Sequence, residues 1–181
     1  MKQTDNIELC LRELGYAVVP IEGTSMWPLL KQGKTFVQLE AKDGKRLKKG
    51  DIILYRKKDG TLVLHRIIKV VGEDTFSVLG DHQWKNAEQV RYDQILAVAP
   101  LFYFKEKRSA ALGHKRLHRQ KLSTRNACRG TRLFFENGNK VDEKTLWYRL
   151  YKRIWNGSLT LRRCCLAFLR LSGIEKRSLR K

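Results

Sequence analysis

The sequence predicts a mainly β protein: a curled antiparallel sheet with a short N-terminal helix and a basic C-terminal helical extension. Short apolar runs separated by Gly-containing turns between residues 35 and 104 are typical of antiparallel strands. Charge then divides the chain, because residues 1–104 contain 16 Lys and Arg against 13 Asp and Glu, whereas residues 105–181 contain 22 against 5. A balanced globular domain is therefore expected before a basic part, and basic parts of this kind usually contact anionic surfaces.

The individual elements follow from local patterns. Residues 5–14 predict a helix that ends at Gly15, and residues 16–21 predict a short extended run. The next segment reads Glu-Gly-Thr-Ser-Met-Trp-Pro-Leu-Leu, and we expect its residues 26–30 to form a single helical turn. Strands are predicted over residues 35–39, 52–55, 62–71, 75–79 and 94–104. Residues 1–104 are therefore assigned to one β domain.

The basic part divides into three segments. Residues 105–130 are dense in Lys, Arg and His with little apolar periodicity, and we interpret them as a mobile insert. Residues 131–140 are a candidate closing strand and turn that would pair with residues 101–104. Residues 141–181 predict a basic amphipathic helical tail, which begins near Asp142, breaks at Asn156-Gly157 and restarts with Ser158 as a cap.

The two faces of this tail differ in character. One face collects apolar side chains: Leu146, Trp147, Leu150, Tyr151, Ile154, Trp155, Leu161, Cys165, Phe168 and Leu169. The other face collects cations: Arg149, Lys152, Arg153, Arg162, Arg163 and Arg170. A basic amphipathic hairpin fits an anionic membrane surface, and it equally fits a cover over the sheet, because the pattern alone does not separate lipid from core.

Compartment is predicted from what the chain lacks. It has no secretory signal and no apolar run long enough to cross a bilayer. Four cysteines show no Cys-x-x-Cys spacing, and we interpret them as reduced thiols. The prediction is therefore a cytoplasmic protein, peripheral on the inner face of the membrane. No helix-turn-helix or zinc-ligand spacing is present, so sequence-specific nucleic-acid binding is not expected.

Ser25 is the candidate nucleophile. It lies in a tight Gly-Thr-Ser turn, where Gly23 tolerates backbone angles that other residues resist and Pro28 cannot donate a hydrogen bond. Such a turn leaves a hydroxyl and nearby backbone N–H groups accessible, as a nucleophile beside an oxyanion site requires. A solvated serine in a surface turn is the alternative interpretation.

A serine needs a base, and four histidines are available. His114 and His118 belong to the basic insert, which leaves His82 and His65. His65 lies inside an apolar strand, where a histidine is either a core residue with its bonds satisfied or a functional base.

A carboxylate could orient that ring. Asp81 follows a strand and a glycine, so it could hold the imidazole tautomer or simply bond its own turn. Glu88 is the alternative orienting carboxylate, and we favour Asp81.

Four short segments occur in one order: Gly-Thr-Ser-Met-Trp-Pro at 23–28, Gly-Asp-Ile-Ile at 50–53, His-Arg-Ile-Ile at 65–68 and Gly-Asp at 80–81. Together they resemble the superfamily of signal peptidases and LexA-type self-cleaving repressors, in the branch with a histidine base found in archaeal and endoplasmic-reticulum signal peptidases. The resemblance covers about residues 16–104. It implies a serine endopeptidase that cleaves a leader or signal-type peptide through an acyl-enzyme, with no metal or cofactor.

The resemblance also implies roles for individual residues. Ser25 would attack, His65 would act as base, and Asp81 would orient it. The Ser25 backbone N–H would be an oxyanion donor with help from the Gly23-Thr24 turn. The following residues Met26, Trp27 and Pro28 would contact the substrate.

The chain departs from the family in several places. Relatives that add a second oxyanion hydroxyl carry serine at the position of Gly23, and asparagine usually follows the Gly-Asp turn, where this chain has His82-Gln83. Neither a membrane-spanning anchor nor a DNA-binding domain is predicted. Two alternatives therefore stay open: a catalytically inactive β module that binds membrane or nucleic acid through its basic tail, and a self-cleaving regulator cut near residues 109–113.

Overall fold

A computed structural model describes residues 3–104, 139–142 and 145–175. Helix α1 spans Gln3–Leu14. The strands are β1 Tyr16–Pro20, β2 Thr35–Ala41, β3 Ile52–Arg56, β4 Leu62–Val70, β5 Thr75–Leu79, β6 Glu88–Arg91, β7 Ile95–Phe104 and β8 Asn139–Asp142. A 3-10 turn at Tyr92–Gln94 precedes β7, and helices α2 Leu146–Gly157 and α3 Leu159–Leu171 complete the described part. The mainly β prediction is confirmed.

All eight strands belong to one open antiparallel sheet. Its order is β1-β2-β7-β3-β4-β5-β6, and β8 pairs with β7 outside that path. Strand β7 pairs with β2 along one edge, while its other edge is shared by β3 and β8. Residues Leu101–Phe104 pair with Asn139–Asp142, which overlap only the end of the closing segment predicted at 131–140. Residues 131–138 of that segment and the insert at 105–130 lie outside the described residues, so both predictions stay untested there.

Two apolar cores cover opposite faces of the sheet. Ile52 and Leu54 of β3 face a core that includes α1, the segment after Ser25 and Tyr148 of α2. Ile53 and Tyr55 face a second core formed with β4, β5 and β6. Side chains alternate between faces along a strand, so a strand buried on both sides becomes a continuous apolar run. This explains why the Ile-Ile-Leu-Tyr run was recognisable as a buried strand.

Several local predictions are corrected by the structure. Strand β6 was missed inside the stretch before β7, because its four residues, Glu-Gln-Val-Arg, include a single buried apolar side chain, Val90. Residues 26–30 do form the single helical turn that was predicted, closed by one bond from Leu30 N to Met26 O at 2.9 Å, and the turn does not extend into a helix. Asn139, predicted in a turn, begins β8.

The presence of two tail helices was predicted, but which of their side chains are buried was not. The break at Asn156-Gly157 and the Ser158 cap are confirmed, since α2 ends at Gly157 and the Leu161 N–H donates to Ser158 Oγ at 3.4 Å. The start near Asp142 is wrong, because Asp142 belongs to β8 and α2 begins at Leu146.

The helices pack through a narrower stripe than predicted. Tyr148, Trp155 and Leu166 are buried, whereas Leu146 and Phe168 are exposed. Arg162, assigned to the polar face, is fully buried. A hydropathy pattern scores every arginine as polar, so it could not separate Arg162 from the exposed Arg163 beside it.

The cysteines also differ from expectation. Cys10 is disulfide-bonded, so the prediction of four reduced thiols is wrong for this residue. Cys164 and Cys165 are free thiols. None of the helices in the described ranges is long and apolar enough to cross a membrane. The cytoplasmic location stays a prediction, and it loses the support of a fully reduced set of cysteines.

Candidate active site

The turn that carries Ser25 is held against the turn after β5. Gly23 has a φ of 76°, in the left-handed region that favours glycine. The His82 N–H donates to the Ser25 carbonyl oxygen at 2.9 Å, which fixes one turn to the other. The Ser25 N–H takes part in no backbone hydrogen bond within the described residues. It is therefore available as an oxyanion donor.

His65 and the Ser25 backbone both lie beside Gly80. A Cβ atom placed on Gly80 would lie 2.5 Å from the Ser25 carbonyl oxygen and 3.2 Å from His65 Nε2. Both atoms therefore lie within 3.2 Å of one point, and any side chain there would separate them. Glycine at position 80 is what permits the serine turn and the histidine ring to approach each other this closely.

The other ring nitrogen of His65 is held by Tyr55. His65 Nδ1 lies 3.2 Å from Tyr55 Oη, and this oxygen donates its proton to Glu88 Oε2 at 2.7 Å. Lys57 Nζ in turn donates to Glu88 Oε1 at 2.6 Å. A phenol has one proton, so with that proton on Glu88 the Nδ1 atom must be the donor to Tyr55. We therefore assign the Nδ1–H tautomer, which leaves the Nε2 lone pair facing the serine turn.

Within the described residues, Tyr55 is the one hydrogen-bond partner of the His65 side chain. No hydrogen bond joins the Ser25 hydroxyl to His65 within the described residues, although the Ser25 backbone and His65 Nε2 both lie beside Gly80. Contacts between catalytic groups are often looser before substrate binds. The structure therefore places the backbone of the candidate nucleophile and the ring of the candidate base next to the same glycine.

Burial favours the neutral ring of His65. Burial lowers the pKa of His65 to about 4, although the charge of Glu88 opposes the shift. Burial and the bond to Glu88 raise the pKa of Tyr55 above its ordinary value, so this phenol keeps its proton. Partial burial raises the pKa of Glu88, but the bonds from Lys57 and Tyr55 outweigh it and lower that pKa. A neutral base is therefore backed by a phenol and an ionised carboxylate.

Asp81 lies on the other side of this strand and does not contact the His65 ring through a hydrogen bond. Arg66 Nε donates to Asp81 Oδ1 at 2.8 Å and Arg66 Nη2 donates to Oδ2 at 2.7 Å. Both side chains are fully buried. Burial works against the charged form of Arg66, but Asp81 more than offsets it, and the pKa of Arg66 is raised. The carboxylate favoured as the orienting group is instead half of a buried ion pair.

The tail helices complete the surroundings of Asp81. Tyr151 Oη donates to Asp81 Oδ2 at 3.1 Å, and Trp155 Nε1 donates to the Asp81 carbonyl at 2.9 Å. Arg162 Nη1 donates to the carbonyls of Gly80 and Gln83 at 3.3 and 3.2 Å. Its Nη2 donates to the Trp155 carbonyl at 3.0 Å. The turn that holds Ser25 is therefore itself held by α2 and α3.

The remaining predicted residues have other surroundings. The side chains of Met26 and Trp27 are buried, so we no longer assign them to substrate contact, and Pro28 lies half-buried. Gly23 and Thr24 are exposed beside Ser25, where oxyanion donors were expected. His82 Nε2 bonds Glu175 Oε1 at 2.9 Å instead of any group near Ser25.

Sequence reasoning missed Tyr55 and Arg162. The alternation of β3 offered one signal, because Tyr55 shares a face with Ile53, and Ile53 is the register partner of His65. No sequence signal marked Arg162.

Comparison with protein-family models and with curated protein sequences finds no match. The described residues contain no group of His, Cys, Asp and Glu that could hold a metal ion. The interpretation of this site therefore depends on its geometry and on the short motifs of the sequence.

Proposed function

We propose that the protein is a serine endopeptidase in which Ser25 is the nucleophile and His65 the general base. One observation carries the proposal: the unprotonated Nε2 of His65 and the backbone of Ser25 approach the same point beside Gly80. A histidine nitrogen near a serine in a tight turn, with a backbone N–H available for an oxyanion, is consistent with the arrangement that acyl transfer requires. The leader-type peptide substrate comes from the resemblance to signal peptidases.

The steps balance with these groups alone. Ser25 Oγ bonds the scissile carbonyl carbon as His65 Nε2 takes its proton, and the oxyanion accepts the Ser25 N–H. When the C–N bond breaks, Nε2 returns that proton to the leaving amine. Water then attacks the ester carbon with its proton passing to Nε2, and the ester C–O bond breaks as Ser25 Oγ is protonated again.

We propose a different orienting group from the one that the sequence favoured. The Nδ1–H tautomer is held by Tyr55, which is backed by Glu88 and Lys57. Both carboxylate oxygens of Asp81 accept hydrogen bonds from Arg66. In this arrangement Asp81 positions the Gly80–Gln83 turn, and Glu88 supplies the negative charge that stabilises the imidazolium in the transition state.

A fluorophosphonate probe tests the proposal without a known substrate, because it traps an activated serine as a covalent adduct. We expect labelling of the wild type at Ser25, found by peptide mass mapping, and none in Ser25→Ala. Ser77→Ala, which changes a strand serine outside the site, should label like the wild type. Cleavage of a peptide library should follow the same pattern.

A second pair of variants tests the close approach itself. Gly80→Ala should slow labelling at least about tenfold, because its Cβ would lie 2.5 Å from the Ser25 carbonyl oxygen. Gly72→Ala is the matched control, since nothing lies within 4 Å of a Cβ there. A folded wild type that neither labels nor cleaves peptides would favour the inactive binding module instead.

A further inference from the structure

The helices α2 and α3 have an outer face that is not used by the fold. Residues 145–174 contain six cations and no carboxylate: Arg149, Lys152, Arg153, Arg162, Arg163 and Arg170. Arg162 is turned inward, and Lys152 Nζ lies 3.4 Å from Asp51 Oδ1, whereas Arg149, Arg153, Arg163 and Arg170 are exposed. Because Arg170 pairs with Glu175 at 3.0 Å, the positive charge of the hairpin surface comes mainly from Arg149, Arg153 and Arg163.

The same face exposes large apolar side chains. Leu146 is 79% exposed, Phe168 68% and Leu171 89%. Further large apolar side chains of the hairpin are exposed as well: Trp147, Leu150, Leu159, Leu161 and Ile174. Soluble monomers rarely display such a concentration of apolar surface unless it binds something. The buried stripe of Tyr148, Trp155 and Leu166 already secures the hairpin to the sheet, so this exposure is not required for folding.

An apolar groove opens between this hairpin and the segment that follows Ser25. Its volume is about 1150 Å³, and Pro28, Leu29, Trp147, Phe168 and Leu169 are among its walls. Lys31 and Lys34 also line it, and none of the described residues that line it is acidic. Neither Ser25 nor His65 lines the groove, so it is separate from the candidate active site.

We propose that this outer face is a docking surface for an anionic lipid bilayer, with an acyl chain entering the groove and lipid phosphates contacting Lys31, Lys34 and the exposed arginines. Leu, Phe and Trp side chains flanked by Arg and Lys are the composition of helices that lie in the membrane interface. Net charge supports the same partner, because each basic residue near an anionic leaflet adds favourable attraction. An acidic polypeptide would also be attracted by the charge, but it does not require exposed apolar side chains around the arginines.

The inner face gives the docking a consequence for the candidate site. Trp155 and Arg162 hold the Gly80–Gln83 turn, which in turn binds the Ser25 backbone. Docking through the outer face therefore leaves the serine turn on the inner side of the hairpin, away from the lipid. The docking itself does not depend on the proposed peptidase activity, and it is tested by a binding readout.

The experiment is co-sedimentation of the full chain with vesicles of phosphatidylcholine, with and without phosphatidylglycerol. We expect binding to the anionic vesicles and little to the neutral ones. The double variant Leu150→Glu with Phe168→Glu should bind at least about tenfold more weakly. Leu14→Glu with Val71→Glu changes the charge equally at exposed apolar positions elsewhere, and it should bind like the wild type.

Circular dichroism and thermal melting establish that both double variants are folded. Trp147→Phe, which keeps an apolar ring, should retain binding, whereas Trp147→Asp should lose most of it. Equal binding by the two double variants would overturn the proposal, because attraction would then come from net charge alone. Absence of binding by the wild type, or complete competition by polyglutamate with no effect of the apolar substitutions, would also overturn it.

Discussion

His65 and Arg66 are neighbours in β4, yet the two sides of the strand that they occupy are built in opposite ways. His65 is register partner to Ile53 and faces Tyr55, while Arg66 is register partner to Ile52 and faces Asp81. The ring is neutral and has one bonded nitrogen, so it can exchange a proton. The guanidinium is charged, fully buried and bonded by a carboxylate through two hydrogen bonds, so it is fixed.

The two sides of β4 are formed by different parts of the chain. The side of β4 that His65 faces, called here the reactive side, is provided by the sheet alone. Its residues Tyr55, Lys57 and Glu88 come from β3, the turn after it and β6. The side of β4 that Arg66 faces, called here the fixed side, also needs the tail helices. Their residues Tyr151, Trp155 and Arg162 bind Asp81 and its turn. The basic extension is thus more than an appendage to residues 1–104: one of its faces is a structural part of the candidate site.

The largest expected effect is on the free energy of unfolding, and it comes from removing the carboxylate of the buried Arg66–Asp81 ion pair. Asp81→Asn leaves the buried Arg66 charge without its partner, and removing one member of such a pair costs about 3–5 kcal/mol. Urea unfolding should show a loss of that size, with Asp93→Asn, at an exposed carboxylate, close to the wild type. The loss should appear in the free energy of unfolding before any assay of activity is made.

A triad would give the opposite result. If Asp81 oriented His65, Asp81→Asn would lower the rate of probe labelling strongly while leaving the free energy of unfolding nearly unchanged. That outcome would contradict the separation of the two sides and restore the role that the sequence favoured for Asp81.

The next effect concerns the reactive side and depends on pH. The pKa of His65 is about 4 in the folded protein and about 6.5 when unfolded, so between these values the unfolded state binds more protons. This contribution to stability is fully present above pH 6.5 and is lost as the pH falls towards 4. The difference amounts to about 3 kcal/mol.

Urea unfolding at several pH values measures this slope, and His65→Gln isolates it. In the variant, the part of the slope between pH 4 and 6.5 that belongs to His65 should disappear, while the slope from other groups stays. An unchanged slope would mean that the imidazole is not held neutral by burial. The same low pKa predicts that probe labelling persists in mildly acidic buffer until the ring is protonated.

The closeness of His65 to Gly80 and the serine turn could be predicted from sequence, whereas its bond to Tyr55 was missed. Ser25, His65 and Gly80 each occur in a local pattern: a glycine-bearing turn, a polar residue in an apolar strand, and a glycine that ends a strand. Antiparallel pairing of β4 with β5 is enough to place His65 near Gly80, and the His82 N–H bond to the Ser25 carbonyl oxygen holds the serine turn beside them. Local sequence patterns and the pairing of neighbouring strands are therefore enough to predict that these three residues lie close together.

The fixed side could not be predicted in the same way. The partner of Asp81 depends on which face of β4 meets the tail, and a one-residue change of register would exchange His65 and Arg66. Arg162 bonds main-chain carbonyls of Gly80 and Gln83, far away in sequence, and no pattern of residue types announces such bonds. Hydropathy periodicity predicted that the helices are amphipathic, but only packing decides which stripe is buried.

The smallest expected effect tests the orienting group itself. Tyr55→Phe removes the acceptor of the His65 Nδ1–H and the donor to Glu88, which should cost about 1–3 kcal/mol, shared between stability and the rate of probe labelling. Tyr92→Phe is the matched control, because its hydroxyl makes a 3.3 Å bond to the Lys42 carbonyl away from the site. The decisive readout is the rate, since a purely structural role would lower stability and leave labelling of the folded fraction unchanged. If labelling slows in Tyr55→Phe and also in Glu88→Gln while Asp81→Asn labels normally when folded, then orientation of His65 belongs to the sheet and the tail supplies only position.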